Sequence, residues 1–148
     1  EIRERLVKII KGDESFTCIP LQGSGTFGVE AMIINFIKKN EKVLILVNGA
    51  YGERILSICK YHKLKYSALI WDENKSLNIN DLKNKIKNDP EIKHLAFVHC
   101  ETSTGILNPL NEVNKICKSN QINLYIDAMS SFGAINIDSK KTMAQLRY

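Results

Sequence analysis

Lys42-Val43-Leu44-Ile45-Leu46-Val47 is an uninterrupted apolar run after its first residue, and Asn48-Gly49 ends it. A run of this length and kind is typical of a strand in a parallel sheet that helices cover on both faces. Further strands are predicted at residues 65–70, 93–98 and 124–126. Helical patterns alternate with these strands, so the sequence predicts an α/β fold with a doubly wound, mostly parallel sheet.

The segments between the strands carry apolar residues at helical spacing. Helices are predicted at residues 1–11, 26–38, 51–61, 80–88 and 110–118. Asn80 is the expected cap of the fourth helix, and Pro90 and Pro109 mark a helix end and a helix start. Residues 16–21 form a short apolar run that predicts one more strand.

The composition indicates a soluble globular domain. The chain has 148 residues, 44% of them hydrophobic, which suits a single core. No apolar run approaches the roughly 20 residues of a membrane helix. The net charge is +5, but the lysines are scattered, so neither a nucleic-acid nor a membrane partner is predicted. The charged start at Glu1, which is not Met, predicts no signal peptide and a piece of a longer protein.

The four cysteines are Cys18, Cys59, Cys100 and Cys117. They form no CxxC pair and have no metal-site spacing, so no metal is predicted. Each lies among apolar residues, where a free thiol behaves as a small hydrophobic group. We therefore expect buried free thiols in a reducing, cytoplasmic protein.

Polar clusters follow the predicted strands. They are Ser24-Gly25-Thr26, Asn48-Gly49-Ala50-Tyr51, His99 to Gly105, and Asp127 to Ser131. In open α/β sheets, ligands bind beyond the carboxyl ends of the strands. The clusters therefore predict one site along that edge of the sheet.

Gly23 to Gly28 matches the pattern GxGxxG at a helix start. A dinucleotide site also needs an acidic residue roughly 20 positions on, and the following strand ends in Val47-Asn48-Gly49 instead. NAD and FAD are therefore rejected, although another nucleotide-binding α/β domain stays open. The helix N-terminus with Ser24 and Thr26 predicts an anion cradle, and a glycine turn that only caps a helix is the alternative.

Asp127 and Tyr51 each have two interpretations. Asp127 ends an apolar strand and could pair with a protonated pyridine nitrogen, or could only cap the next turn. Tyr51 could stack on a flat ring or be an ordinary aromatic residue at a helix start. The hydroxyls of Thr102 and Thr104 could bind a cofactor or only their own loop.

Four motifs together resemble a known family. They are Leu21 to Phe27 (LQGSGTF), Asn48 to Arg54 (NGAYGER), His99 to Leu110 (HCETSTGILNPL) and Asp127 to Ala134 (DAMSSFGA). Their order and spacing resemble the class V, fold-type I aminotransferases that use pyridoxal 5'-phosphate (PLP). Within that class the residues of the four motifs are similar to those of the 2-aminoethylphosphonate–pyruvate aminotransferases. The resemblance runs from Glu1 to about Asp138 and implies the aspartate aminotransferase-like large domain.

The resemblance also implies a role for each site residue. Ser24, Gly25 and Thr26 would hold the PLP phosphate, and Asp127 would pair with the ring nitrogen. Tyr51 and Met129 would cover opposite faces of the ring, and Thr102 would lie near the ring hydroxyl. The substrates implied are 2-aminoethylphosphonate and pyruvate, in a homodimeric full-length protein.

The Schiff-base lysine of the family lies about 25 residues after the ring-nitrogen Asp, which places it beyond Tyr148. Lys140 and Lys141 come too early for that role. We therefore expect residues 1–148 to be a partial PLP-binding large domain, with the N-terminal arm, the lysine loop and the small C-terminal domain outside it. Two alternatives stay open: an alanine–glyoxylate or serine–pyruvate type aminotransferase, and a non-catalytic remnant.

Overall fold

A parallel sheet lies at the centre of the protein. The computed structural model describes residues 1–139. Within these residues there are six strands: β1 (Lys42–Val47), β2 (Lys65–Ile70), β3 (Ile92–Val98), β4 (Cys100–Glu101), β5 (Ile106–Leu107) and β6 (Asn123–Asp127). Four of them form the main sheet in the order β2-β1-β3-β6, and every pairing in it is parallel. This sheet confirms the predicted architecture.

Helices cover both faces of the sheet. They are α2 (Gly25–Phe36), α3 (Ala50–Tyr61), α4 (Ile79–Asn88) and α5 (Leu110–Ser119). A further helix, α1 (Ile2–Ile9), precedes them and has no buried residue. Because a strand directs alternate side chains to opposite faces, β1 supplies two separate cores. Val43, Ile45 and Val47 pack with residues of α2 and α3, whereas Leu44 and Leu46 pack with residues of α4 and α5. The continuous apolar run of β1 is therefore the consequence of burial on both faces.

The predicted strand at residues 16–21 is wrong. These residues are irregular, and the side chains of Ile19 and Leu21 are exposed. A strand needs a neighbour to bond its backbone, and Pro20 has no N–H to offer a ladder. The apolar composition of this segment therefore does not reflect burial within the described part of the chain.

Two local details also differ from the prediction. Asn78, and not Asn80, caps α4, since its Oδ1 accepts hydrogen bonds from the backbone N–H groups of Asn80 and Asp81. The antiparallel pair of β4 and β5 was not predicted, because strands of two residues are too short to show a periodic pattern.

The cysteine prediction is correct for two of the four residues. Cys59 and Cys117 are buried, and burial raises their thiol pKa values to about 11 and about 12. Cys18 and Cys100 are only half-buried. None of the four forms a disulfide. Among the helices of residues 1–139, none is long and apolar enough to cross a membrane.

An ion-pair cluster joins the end of α4 to the start of β1. Lys42 Nζ lies 2.6 Å from Asp89 Oδ2, and Lys85 Nζ lies 3.4 Å from the same oxygen. The hydrogen bond from Lys42, assisted by that from Lys85, lowers the pKa of Asp89, although burial opposes the shift. Because the folded-state pKa is below the unfolded value, this pair stabilises the fold above pH 3.8 and the contribution is lost as the pH falls further.

Asp89→Asn is therefore expected to lower the free energy of unfolding by about 1 kcal/mol at neutral pH. The difference in the free energy of unfolding between Asp89→Asn and the unaltered protein should shrink as the pH falls through the folded-state pKa of Asp89. Urea unfolding followed by circular dichroism, repeated across acidic pH, measures both values. A difference that is independent of pH would show that the Lys42–Asp89 pair does not produce it.

Candidate functional site

A cavity of about 270 Å³ lies at the carboxyl edge of the sheet, between α2, α3 and the end of β6. It is lined by Ser24, Gly25, Thr26, Val29, Tyr51, Arg54, Ile55, Ile58, Asp127 and Met129. All the predicted site residues except Thr102 are therefore brought together. They come from segments that are about 100 residues apart at the extremes, which only the parallel sheet places side by side.

The N-terminus of α2 forms one wall of the cavity. Ser24 is the N-cap, and its Oγ accepts a hydrogen bond of 3.2 Å from the N–H of Phe27. The N–H groups of Gly25 and Thr26 have no acceptor within residues 1–139. Free N–H groups and hydroxyls at a helix N-terminus favour a bound anion. No strand precedes α2 in the described residues, so the context of a dinucleotide fingerprint is missing here.

Gly25 allows a close approach between α2 and the turn after β6. A Cβ at position 25 would overlap the terminal methyl group of Met129. The side chain of Met129 is largely exposed, so it covers the cavity without being fixed in a core. The absence of a side chain at Gly25 therefore keeps the backbone N–H groups of the cradle accessible beneath Met129.

Arg54 is a cavity residue to which the sequence analysis gave no role. It follows Tyr51 by one helical turn on α3, and its Nη1 donates a hydrogen bond of 2.9 Å to Thr26 Oγ1. Its guanidinium carbon lies 5.2 Å from the centroid of the Tyr51 ring. Its position in the motif Asn48 to Arg54 was the one sequence feature that could have marked Arg54 as a cavity residue. Its contact with Thr26 joins two helices, and no sequence pattern shows such a contact.

Asp127 ends β6 and is half-buried at the cavity. Its Oδ1 accepts a hydrogen bond of 3.0 Å from the N–H of Met129, which is the turn-capping contact that was the alternative interpretation. No cationic side chain within residues 1–139 forms an ion pair with it. The capping role therefore uses one oxygen and leaves the negative charge without a positive partner in the described part of the chain.

Thr102 does not line the cavity. It lies in the exposed loop between β4 and β5, where its Oγ1 and the hydroxyl of Ser130 form a hydrogen bond. Ser130 follows Met129, so Thr102 contacts the turn that borders the cavity. The role predicted for Thr102 beside a ring hydroxyl stays a prediction.

Glu101 stabilises the start of α3 beside the cavity, although the sequence analysis gave it no role. It is fully buried, and its carboxylate accepts hydrogen bonds of 3.0 Å from the N–H of Tyr51 and 3.2 Å from the N–H of Gly52. The hydroxyl of Ser103 donates to it at 3.2 Å. Gly49, the N-cap of α3, has no side chain to do this, so Glu101 caps the helix that presents Tyr51.

Buried polar pairs fix the loops around the cavity. Asn48 and Asn108 exchange side-chain hydrogen bonds of 2.9 and 3.0 Å, which join the ends of β1 and β5. His99 Nδ1 lies 2.9 Å from the hydroxyl of Ser131, and burial lowers the pKa of this histidine. His99 thereby ties the end of β3 to the turn after β6 and is not a cavity residue.

Two further expectations concern metals and lysines. Within the part of the chain that the structure describes, no group of His, Cys, Asp or Glu residues could hold a metal ion. Lys140 and Lys141, which were judged too early for the Schiff-base lysine, lie outside the described residues.

Comparison with known proteins identifies the family of the chain. The family model described as aminotransferase class-V matches residues 1–146. A 2-aminoethylphosphonate–pyruvate transaminase from Pseudomonas aeruginosa is 49% identical over 93% of this chain. The alanine–glyoxylate aminotransferase of Nostoc sp. superposes with a TM-score of 0.85 at 27% identity, covering 94% of this chain and 36% of its own. Pyridoxamine–pyruvate aminotransferase of Mesorhizobium loti shares the fold, with a TM-score of 0.88 at 23% identity over 95% of this chain and 36% of its own.

The chain spans 37% of the length of the Pseudomonas aeruginosa relative. The match covers the region that contains the cavity, because it includes nearly the whole of the chain.

Proposed function

The chain belongs to the class V aminotransferase family, and on that premise we propose that it forms the PLP-binding part of a 2-aminoethylphosphonate–pyruvate transaminase. Such an enzyme moves the amino group of 2-aminoethylphosphonate to pyruvate and yields phosphonoacetaldehyde and L-alanine. The 49% identity with the Pseudomonas aeruginosa transaminase supports this choice of substrates.

The proposal rests on one observation: the same cavity contains a site for an anion and a carboxylate that can pair with a cation. The α2 N-terminus offers free N–H groups and hydroxyls to an anion, and Asp127 offers a carboxylate without a cationic partner in the described residues. PLP carries an anionic phosphate and a ring nitrogen that is cationic when protonated. The donor set of the cavity therefore fits this cofactor at both ends.

Each residue has a distinct proposed role. Ser24, Gly25 and Thr26 bind the phosphate, and Tyr51 contacts one face of the ring. Met129 covers the other face, where Gly25 leaves room for it. Thr102 is proposed to lie near the ring hydroxyl, with Ser130 holding its side chain.

The chemistry divides between cofactor and protein. PLP, when bound, supplies a conjugated ring that stabilises negative charge at the reacting carbon of the substrate. Asp127 holds a proton at the ring nitrogen, because its negative charge favours the protonated form. Glu101 keeps α3 in place so that Tyr51 orients the ring. We propose that the lysine that carries the cofactor lies beyond Tyr148.

A substrate assay tests the proposal in the protein expressed from the complete gene. The rate with 2-aminoethylphosphonate and pyruvate is compared with the rate with alanine and glyoxylate. We expect the first pair to react faster. A faster second pair would assign the alanine–glyoxylate type, the activity for which the Nostoc protein is named. PLP binding without turnover of either pair, or of serine with pyruvate, would favour the non-catalytic alternative.

We also propose that the protein is a cytoplasmic homodimer that binds neither nucleic acid nor membranes. One face of α2 supports an association, since Phe27 and Ile34, about two helical turns apart, both expose large apolar side chains. Light scattering after size-exclusion chromatography measures the mass of the assembly. A monomeric mass would contradict the proposed dimer.

A further inference from the structure

Arg54 carries a positive charge into the cavity from α3. The hydrogen bond to Thr26 holds its guanidinium at the N-terminus of α2, and the Tyr51 ring lies beside it. Among the described residues that line the cavity, Arg54 is the only cationic one and Asp127 the only anionic one. The cavity therefore contains one charge of each sign.

Neither charge is neutralised within residues 1–139. Arg54 forms no ion pair with any described carboxylate, and it does not pair with Asp127 across the cavity. Arg54 is exposed and Asp127 is half-buried, so a ligand in the cavity can reach both groups, and complementary charges on it would form charge-assisted hydrogen bonds at both positions. The positive charge adjoins Thr26, so the complementary group there is a phosphate-like dianion.

Two molecules could supply such a dianion: the phosphate of the cofactor and the phosphonate of the substrate. The position of Arg54 favours the cofactor, because its guanidinium is bonded to Thr26, one of the residues of the anion cradle. A guanidinium has five N–H donors, so the single bond to Thr26 leaves others available for phosphate oxygens.

We propose that Arg54 is the charged anchor of the PLP phosphate, acting together with the neutral donors of the α2 N-terminus. This inference rests on the proposed function and adds a binding residue to it. The hydrogen bond to Thr26 orients the guanidinium, which lies over the Tyr51 ring, so two contacts position Arg54 before the phosphate binds. The affinity for PLP then depends on a full positive charge as well as on backbone N–H groups.

Equilibrium dialysis of the protein expressed from the complete gene tests the inference, with PLP and with pyridoxal, which lacks the phosphate. Arg54→Gln is expected to weaken PLP binding about 10- to 100-fold, the usual range for loss of a charged hydrogen bond. Pyridoxal binding should be unchanged. Arg54→Lys should restore part of the PLP affinity, since it returns the charge without the planar fork.

Lys60→Gln is the matched control, because it removes one positive charge from the exposed last turn of the same helix. It should leave the affinities for PLP and pyridoxal unchanged. An equal loss of both affinities in Arg54→Gln would indicate a structural role and overturn the inference. If Arg54→Gln leaves the ratio of PLP affinity to pyridoxal affinity unchanged but weakens the binding of 2-aminoethylphosphonate, the inference is overturned and Arg54 is assigned to the substrate. Failure of the unaltered protein to bind PLP would instead overturn the proposed function.

Discussion

Asp127→Asn is expected to lower kcat for transamination on the order of 10²- to 10³-fold in the protein expressed from the complete gene, the loss typical of removing one fixed electrostatic contact from an active site. Asparagine has nearly the same shape as aspartate, and its Oδ1 can still accept the hydrogen bond from the N–H of Met129. The turn after β6 should therefore keep its conformation. The change removes the negative charge that is proposed to hold a proton at the ring nitrogen, and it replaces one acceptor oxygen with an amide donor.

Initial rates at saturating substrate measure this effect, and the ultraviolet absorption of the bound cofactor reports its protonation. Asp72→Asn is a suitable control, because Asp72 pairs with Lys75 on the surface and lies outside the cavity. A kcat for Asp127→Asn equal to that of the control would show that Asp127 only caps its turn.

Glu101→Ala is expected to lower the free energy of unfolding by about 3 kcal/mol or more, because each buried donor left without an acceptor costs about 1–3 kcal/mol. The substitution leaves the N–H groups of Tyr51 and Gly52 without their acceptors at the start of α3. Glu101→Gln should be intermediate, since its amide retains one acceptor oxygen but no charge. Urea unfolding followed by circular dichroism gives the three values.

Glu53→Ala tests whether the loss of stability in Glu101→Ala comes from a buried carboxylate or only from a negative charge at the start of α3. Glu53 also lies in the first turn of α3, but its side chain is exposed. Its removal should cost no more than about 1 kcal/mol, the upper end of an exposed charge effect at a helix terminus. Equal losses from Glu53→Ala and Glu101→Ala would refute the capping role assigned to the buried carboxylate.

The sequence predicted those parts of the fold whose cause is local. Residues 42–47 are apolar at every position after the first because β1 is buried on both faces, and that cause leaves a visible pattern. Residues 16–21 show a similar composition without burial, so composition alone was misleading there. Whether a strand forms depends on a neighbouring strand, and no local pattern contains that information.

The residues of the candidate site also differ in whether a local sequence pattern or a tertiary contact identifies them. The motifs predicted the cavity residues Ser24, Gly25, Thr26, Tyr51, Asp127 and Met129 because each motif is local and resembles a family. The contacts of Arg54 with Thr26 and of Glu101 with Tyr51 connect residues 28 and 50 positions apart. Such contacts depend on how the helices pack against the sheet, so they could be identified only in three dimensions.

The order of strands in the sheet has a consequence for how the protein folds. Within residues 1–139, β6 pairs with β3 alone, and it brings Asp127 to a cavity whose other wall begins at Ser24. Parallel pairing joins distant parts of the chain, and such non-local contacts form slowly. Asp127 reaches the cavity only after β6 has docked, so a ligand that binds both Asp127 and the α2 N-terminus would recognise the docked state and not earlier folding intermediates. Binding of such a ligand would shift the equilibrium toward the state with β6 docked by mass action.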